Sequence, residues 1–139
     1  MKKSLLFRWF GAGKFPAIYS TDLATEGILL SDEGLKAWVT YRNFHRPGRY
    51  SGYRIIGKIA SLIVTKVRVA AYFGENPAIN VPFSDERLKQ IAFSIEPSGA
   101  LLAAFDAALF NDDWSGQMEY RFYTPLAQAI VDQIKTQIA

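Results

Sequence analysis

Between Arg42 and Arg54 the chain reads RNFHRPGRYSGYR, in which Arg42, Arg46, Arg49, Arg54 and the single histidine, His45, are interleaved with Phe44, Tyr50 and Tyr53. A guanidinium grips phosphate or carboxylate through two parallel N–H bonds, and flat rings beside it stack on bases or rest in a membrane interface. These four arginines and the histidine are therefore the candidate ligand-binding residues. The competing reading is a solvated hairpin, with arginines that keep the loop soluble and aromatics that pack on a sheet edge. His45 beside Arg46 has a neighbouring cation to oppose its protonation, provided the side chains lie close. A histidine in a loop is otherwise simply exposed.

A second candidate is acidic. Asn111 to Gly116 reads NDDWSG, with oxygen side chains at alternate positions and then a glycine, like the first half of a calcium loop. In that frame the closing ligand, a bidentate glutamate, falls on Phe122, and the downstream QMEYRFY alternates like a strand where the motif needs a helix. The hexapeptide is better read as a turn between two strands, since Asn, Asp, Ser and Gly supply the local hydrogen bonds and positive φ that turns use. Asp106, Asp112 and Asp113 can serve as paired carboxylates in acid–base chemistry. The sequence around them offers no P-loop and no G-x-S-x-G, and GAGKF lacks the rest of a Walker loop. A divalent-metal-dependent hydrolase is the weakest functional reading, and neither a metal nor a cofactor is expected.

The N-terminal segment combines Lys2, Lys3 and Arg8 with Phe7, Trp9 and Phe10, a pattern suited to a membrane interface or a partner surface. The alternative is that these apolar residues close the open end of a barrel or form an oligomer contact. Net charge is only +3, but +4 lies within the first fourteen residues and another +4 between residues 42 and 54, leaving the remainder at −5. An acidic partner would bind at those two segments. The total is too small for a nucleic-acid footprint.

Composition sets the wider limits. The chain has 139 residues, enough for one core, with 50% hydrophobic and 21% charged residues, as in a compact domain. Cysteine is absent, which excludes disulfides, thiolate metal sites and cysteine nucleophiles, and one histidine argues against a zinc site or a Ser-His-Asp triad. Arg8 breaks the only N-terminal apolar run, so a signal peptide is not expected, and no run approaches the ~18 apolar residues of a spanning helix. The expectation is a cytoplasmic protein, with peripheral membrane association as the alternative.

Several elements must position these residues. From Gly27 onward, strand-like runs alternate with turn signals, as in an antiparallel β protein. GILLS is followed by DEG, read as a turn, and then by the alternation of Leu35, Ala37, Val39 and Tyr41, with Trp38 interrupting the polar face. GYRIIGKIASLIVT and RVAAYF are joined by Lys66-Val67, a two-residue connection with poor turn chemistry. GENP is a turn, and AINVPF is an edge strand whose Pro82 limits it. SDERLKQI reads as one helical turn capped by Ser84, while AFSIE and ALLAAFDAALF, separated by PSG, read as two further strands. After QMEYRFY, Thr124 is placed to cap a helix with Pro125 at its first position. Its apolar stripe is Leu126, Ala127, Ile130, Val131, Ile134 and Ile138.

The stretches GKIASLIVTKVRVAAY and LLAAFDAALF…SGQMEYRFYTPLAQAIVDQI resemble the bacterial pleckstrin-homology-like (PH-like and GRAM-like) domains. There a strand ending in threonine turns into one that begins near an arginine, here Thr65 and Arg68. The resemblance spans residues 26–138 and leaves 1–25 as an N-terminal basic and aromatic extension. It implies a mainly β fold, a bent antiparallel barrel of about seven or eight strands, capped at one end by the C-terminal amphipathic helix. It also implies a non-enzymatic binding or assembly module for a protein or peptide partner, with anionic lipid as the alternative and homo-oligomerisation open. The phosphoinositide pattern of such domains is represented only by Lys36 and Arg42, so no phosphoinositide residues are carried over.

Overall fold

The structure is a computed structural model that describes residues 23–138. Seven antiparallel strands, β1 (Ile28–Arg46), β2 (Arg49–Thr65), β3 (Arg68–Phe73), β4 (Asn76–Pro82), β5 (Ala92–Ile95), β6 (Leu101–Asp106) and β7 (Ser115–Phe122), form one sheet in the order β4-β3-β2-β1-β7-β6-β5. The sheet curls into a half-barrel around a single main core. The helix α1 (Ala127–Ile138) follows the last strand and packs on β5 and β6, burying Ala127, Ile130, Val131 and Ile134. This is the mainly β architecture with a terminal amphipathic helix that the sequence suggests.

The expected alternation along β1 buries Leu35, Ala37 and Val39 on the concave face. Aromatic rings fill the centre: Tyr120 meets both Phe73 and Phe105 edge-on at 5.1 Å, and Phe73 stacks on Phe122 at 6.0 Å. On the convex face Thr40 is buried too, because the Arg121 guanidinium lies over it and donates to its Oγ1 at 3.1 Å.

Several sequence expectations need correction. Asp32–Gly34 does not turn the chain; β1 runs straight through it with a bulge, the register moving from Asp32↔Leu62 to Leu35↔Ala60. Gly34 supplies the positive φ of 70°, and the Asp32 carboxylate accepts the Glu33 N–H at 3.0 Å, so the extra residue is absorbed within the strand. The helical turn is a 3₁₀ helix, Glu86–Gln90, capped by Asp85 and not Ser84, with the Asp85 carboxylate accepting the Arg87 N–H at 2.9 Å. The sixth strand stops at Asp106, whose carboxylate accepts the Ala108 N–H at 2.8 Å and starts a second 3₁₀ turn, Ala107–Leu109.

The Lys66-Val67 connection holds because Thr65 supplies what those two residues lack. Its Oγ1 accepts the N–H groups of Val67 and Arg68, each at 3.1 Å, and donates to Glu26 at 2.8 Å. Glu26 in turn grips Arg68 at 2.8 Å, tying the chain entry to this hairpin. Pro82 ends β4 at an open edge of the sheet, as its missing N–H requires.

Thr124, expected to cap the final helix, lies three residues before it, where it holds the lead-in turn: its Oγ1 accepts the Leu126 N–H at 3.1 Å and donates to Asp32 at 2.8 Å. Pro125 sits in the lead-in turn, with the helix itself beginning at Ala127. Thr124 is fully buried, so Thr124→Val keeps the shape but removes both hydrogen bonds. The expected loss is about 2 kcal/mol, read from urea unfolding; a loss below about 0.5 kcal/mol would show that the Thr124 hydroxyl does not anchor the helix.

Candidate anion-binding cleft on the first hairpin

The long hairpin of β1 and β2 turns at Pro47-Gly48, with Gly48 at φ 77° and Arg46 paired directly with Arg49. Proline followed by a positive-φ glycine is the composition of a type II turn. Just before it, Asn43 adopts a left-handed φ of 48°, and the β1–β7 register moves from Arg42↔Gln117 to His45↔Ser115. This bulge resets the alternation, so Phe44 and not Asn43 turns into the core. Arg46 follows Phe44 to the same side, whereas Arg42 points to the other.

The bulge is held from β7. Gly116, at φ 104°, lies so close that a Cβ there would run into the carbonyl oxygens of Arg42 and Asn43. The hexapeptide NDDWSG forms the turn before it, as its residues suggest: Trp114 N–H donates to the Asn111 carbonyl at 3.0 Å, and Asp113 N–H to the Asn111 side chain at 3.3 Å. That turn places Trp114 edge-on to Phe44 at 5.2 Å, and Phe44 lies 4.9 Å from Tyr41.

These pieces enclose a cleft of about 160 Å³. Arg46 and Arg49 enter from either side of the hairpin turn, and Arg54 from β2, where it pairs with Tyr41. Ser51, Ile56 and the Tyr41, Phe44 and Trp114 rings complete the lining. Three of the sequence-nominated residues, Arg46, Arg49 and Arg54, are thus brought together. His45 is not among them; it is exposed, with its ring 4.4 Å from that of Tyr50 and Nδ1 3.2 Å from the Asn43 carbonyl. Tyr41, Ser51 and Trp114 were not nominated from sequence. Tyr41 had a simpler role in the strand alternation, and only the fold brings the Trp114 turn against the hairpin.

Arg42 belongs to a different surface. On the convex face it pairs with Glu119 at 3.1 Å and lies over the Tyr53 ring at 5.0 Å. Glu119 also meets Arg121 at 3.0 Å, and Arg121 reaches Glu96 at 2.7 Å, making a neutral network of two arginines and two glutamates across β1, β7 and the residue after β5. Beside it runs a groove of about 370 Å³ lined by Trp38, Tyr53, Ile55 and Tyr123. Trp38 covers Gly57, its cross-strand partner, which explains why an aromatic interrupts the polar face.

Burial works against ionisation of Glu119, but hydrogen bonds from Arg42 and Arg121 outweigh it and hold the carboxyl below its ordinary 4.5. A depressed folded value means that the stabilisation is complete above the unfolded value and is lost as pH falls through the folded one. Glu119→Gln is therefore expected to cost on the order of 1 kcal/mol near pH 7. The difference from the parent should shrink below about pH 4.5. Denaturation at neutral and acid pH checks this; an equal difference at both would contradict the assignment.

The contrast between the two arginine groups is electrostatic. Arg42, Arg68, Arg87 and Arg121 are each paired with a carboxylate, at distances of 3.1, 2.8, 2.7 and 2.7 Å. Among the described residues, no carboxylate lies within 4.0 Å of Arg46, Arg49 or Arg54. Every described arginine without an ion pair lines the cleft.

The acidic candidates do not assemble into a site. Asp106 is engaged in its cap, Asp112 and Asp113 are exposed in the turn, and among the described residues no three His, Asp or Glu side chains cluster closely enough to hold a metal ion. The N-terminal candidates Lys2, Lys3, Phe7, Arg8, Trp9 and Phe10 lie outside the described residues. Among the described residues no helix is long and apolar enough to cross a membrane. No family model and no curated protein sequence matches the chain.

Proposed function

We propose that the protein is a non-enzymatic recognition module of PH-like type, which captures an anionic group of a protein or peptide partner in the Arg46, Arg49 and Arg54 cleft. The supporting observation is the segregation of charge: arginines elsewhere in the described chain have carboxylate partners, and these three share one concavity with none. Like charges placed directly across a strand pair, as Arg46 and Arg49 are, destabilise a sheet. An anion bound between them reverses that cost. The strand and helix content supports the PH-like reading, in which such a module binds and does not catalyse.

Nuclear magnetic resonance of the intact chain tests this. Sodium sulfate, titrated against sodium chloride at equal ionic strength, should shift the arginine Nε–H signals of Arg46, Arg49 and Arg54 and the Trp114 indole N–H, and leave those of Arg68 and Arg87 in place. Identical responses to the two salts would overturn the proposal.

A further inference from the structure

We infer that the anion this cleft takes is a phosphate monoester in its dianionic form, carried on a side chain of a phosphorylated peptide; this rests on the recognition function proposed above. A carboxylate has two oxygens and one charge, and a single bidentate arginine satisfies it. Three unpaired guanidiniums would then remain largely uncompensated. A phosphomonoester offers three terminal oxygens, one for each guanidinium, and a charge of about −1.5 to −2 near neutrality, which offsets more of the three arginines' charge than a carboxylate does. Tyr41 and Ser51 line the same cleft, and each carries a hydroxyl that can serve as a neutral donor. Trp114 and Ile56 give the carbon side of the ligand an apolar wall.

Size and charge also choose the carrier. A cleft of about 160 Å³ holds one such group with a short stem, not an extended polyanion. At an anionic membrane each arginine near the surface contributes only about 1 kcal/mol, so three give weak adsorption. Arg42 adds nothing to them, since its charge is neutralised on the opposite face.

The pH dependence has a definite sign. The charged and titratable groups that line the cleft are Arg46, Arg49 and Arg54, with Tyr41 from β1. The second phosphate ionisation falls near pH 6, so binding strengthens as pH rises through it.

Calorimetric titration of the intact chain with phenyl phosphate, phenyl sulfate and benzoate, at matched ionic strength, tests the inference. Phenyl phosphate should bind about tenfold more tightly at pH 7.5 than at pH 5, and about tenfold more tightly than benzoate at the higher pH. Phenyl sulfate, a monoanion throughout, should show no such rise. Arg54→Lys should lose about tenfold for phenyl phosphate through loss of the bidentate grip, while Arg42→Ala should change nothing. Phosphoserine and phosphotyrosine peptides should bind where their unphosphorylated forms do not, and vesicles containing phosphatidic acid, the same monoester on a lipid, should not retain the chain. Equal affinities for the three small anions would overturn the phosphate assignment and leave the anion cleft standing. Failure of all three to bind would remove both. Retention on the vesicles without peptide binding would overturn the peptide carrier.

Discussion

Gly116→Ala is expected to destabilise the protein by roughly 3 kcal/mol or more, a large share of what holds a domain of this size together. Two costs combine at this position. Gly116 has φ 104°, where a side chain is strained whatever the space around it. In addition, its new Cβ would meet backbone carbonyls of Arg42 and Asn43, which belong to a strand paired on both sides and cannot yield cheaply. Gly48→Ala provides the comparison: its φ is 77°, but nothing lies within 4 Å, so only the conformational cost applies, about 1 kcal/mol. Urea unfolding of both variants checks the ordering. Equal losses would mean that β7 does not hold the bulge that sets which side Phe44 and Arg46 face.

Arg49→Glu is expected to move stability and binding in opposite directions. It replaces a like-charge cross-strand pair with an opposite-charge one beside Arg46, which should stabilise the free protein by about 0.5 kcal/mol. The same substitution removes one anion grip and places a carboxylate in the cleft, so affinity for sulfate should fall about 100-fold or more. A solvated hairpin loop predicts a different pattern, with small stability changes and no loss of binding because there is none to lose. Thermal unfolding paired with calorimetry separates the two. A variant that is less stable and still binds sulfate would contradict the site.

Much of the fold was legible because its signals are local. The alternation of Leu35, Ala37 and Val39 and the stripe from Leu126 to Ile138 depend on neighbours within a few residues. Errors arose where one polar side chain decides between a turn and a bulge. Asp32 with Gly34 reads as a turn, yet pairing with β2 on one side carries the strand through it. Asp106 ends a strand that its apolar neighbours would extend, because its carboxylate caps the next turn.

The site was only half legible for a related reason. Five residues in one basic segment look alike in sequence, but a strand has two faces, and a single left-handed residue, Asn43, changes which face each later residue takes. That divides Arg42 from Arg46. The pairing of Arg42 with Glu119 spans 77 positions, and Trp114 reaches the hairpin only through the β6–β7 turn, so no local pattern could reveal either. The hexapeptide that imitates a calcium loop helps to shape the cleft, Trp114 by lining it and Gly116 by abutting the bulge.

The most direct measurement is thermal unfolding in sodium sulfate and in sodium chloride at equal ionic strength, for the parent chain and for a triple variant, Arg46→Gln with Arg49→Gln and Arg54→Gln. Sulfate stabilises folded proteins generally by exclusion from their surfaces, and the variant carries that general effect. A specific site adds to it by mass action, about 2.7 kcal/mol once sulfate reaches a hundred times its dissociation constant. The parent should therefore gain several degrees more from sulfate than the variant does. Equal gains would contradict an anion site in the cleft.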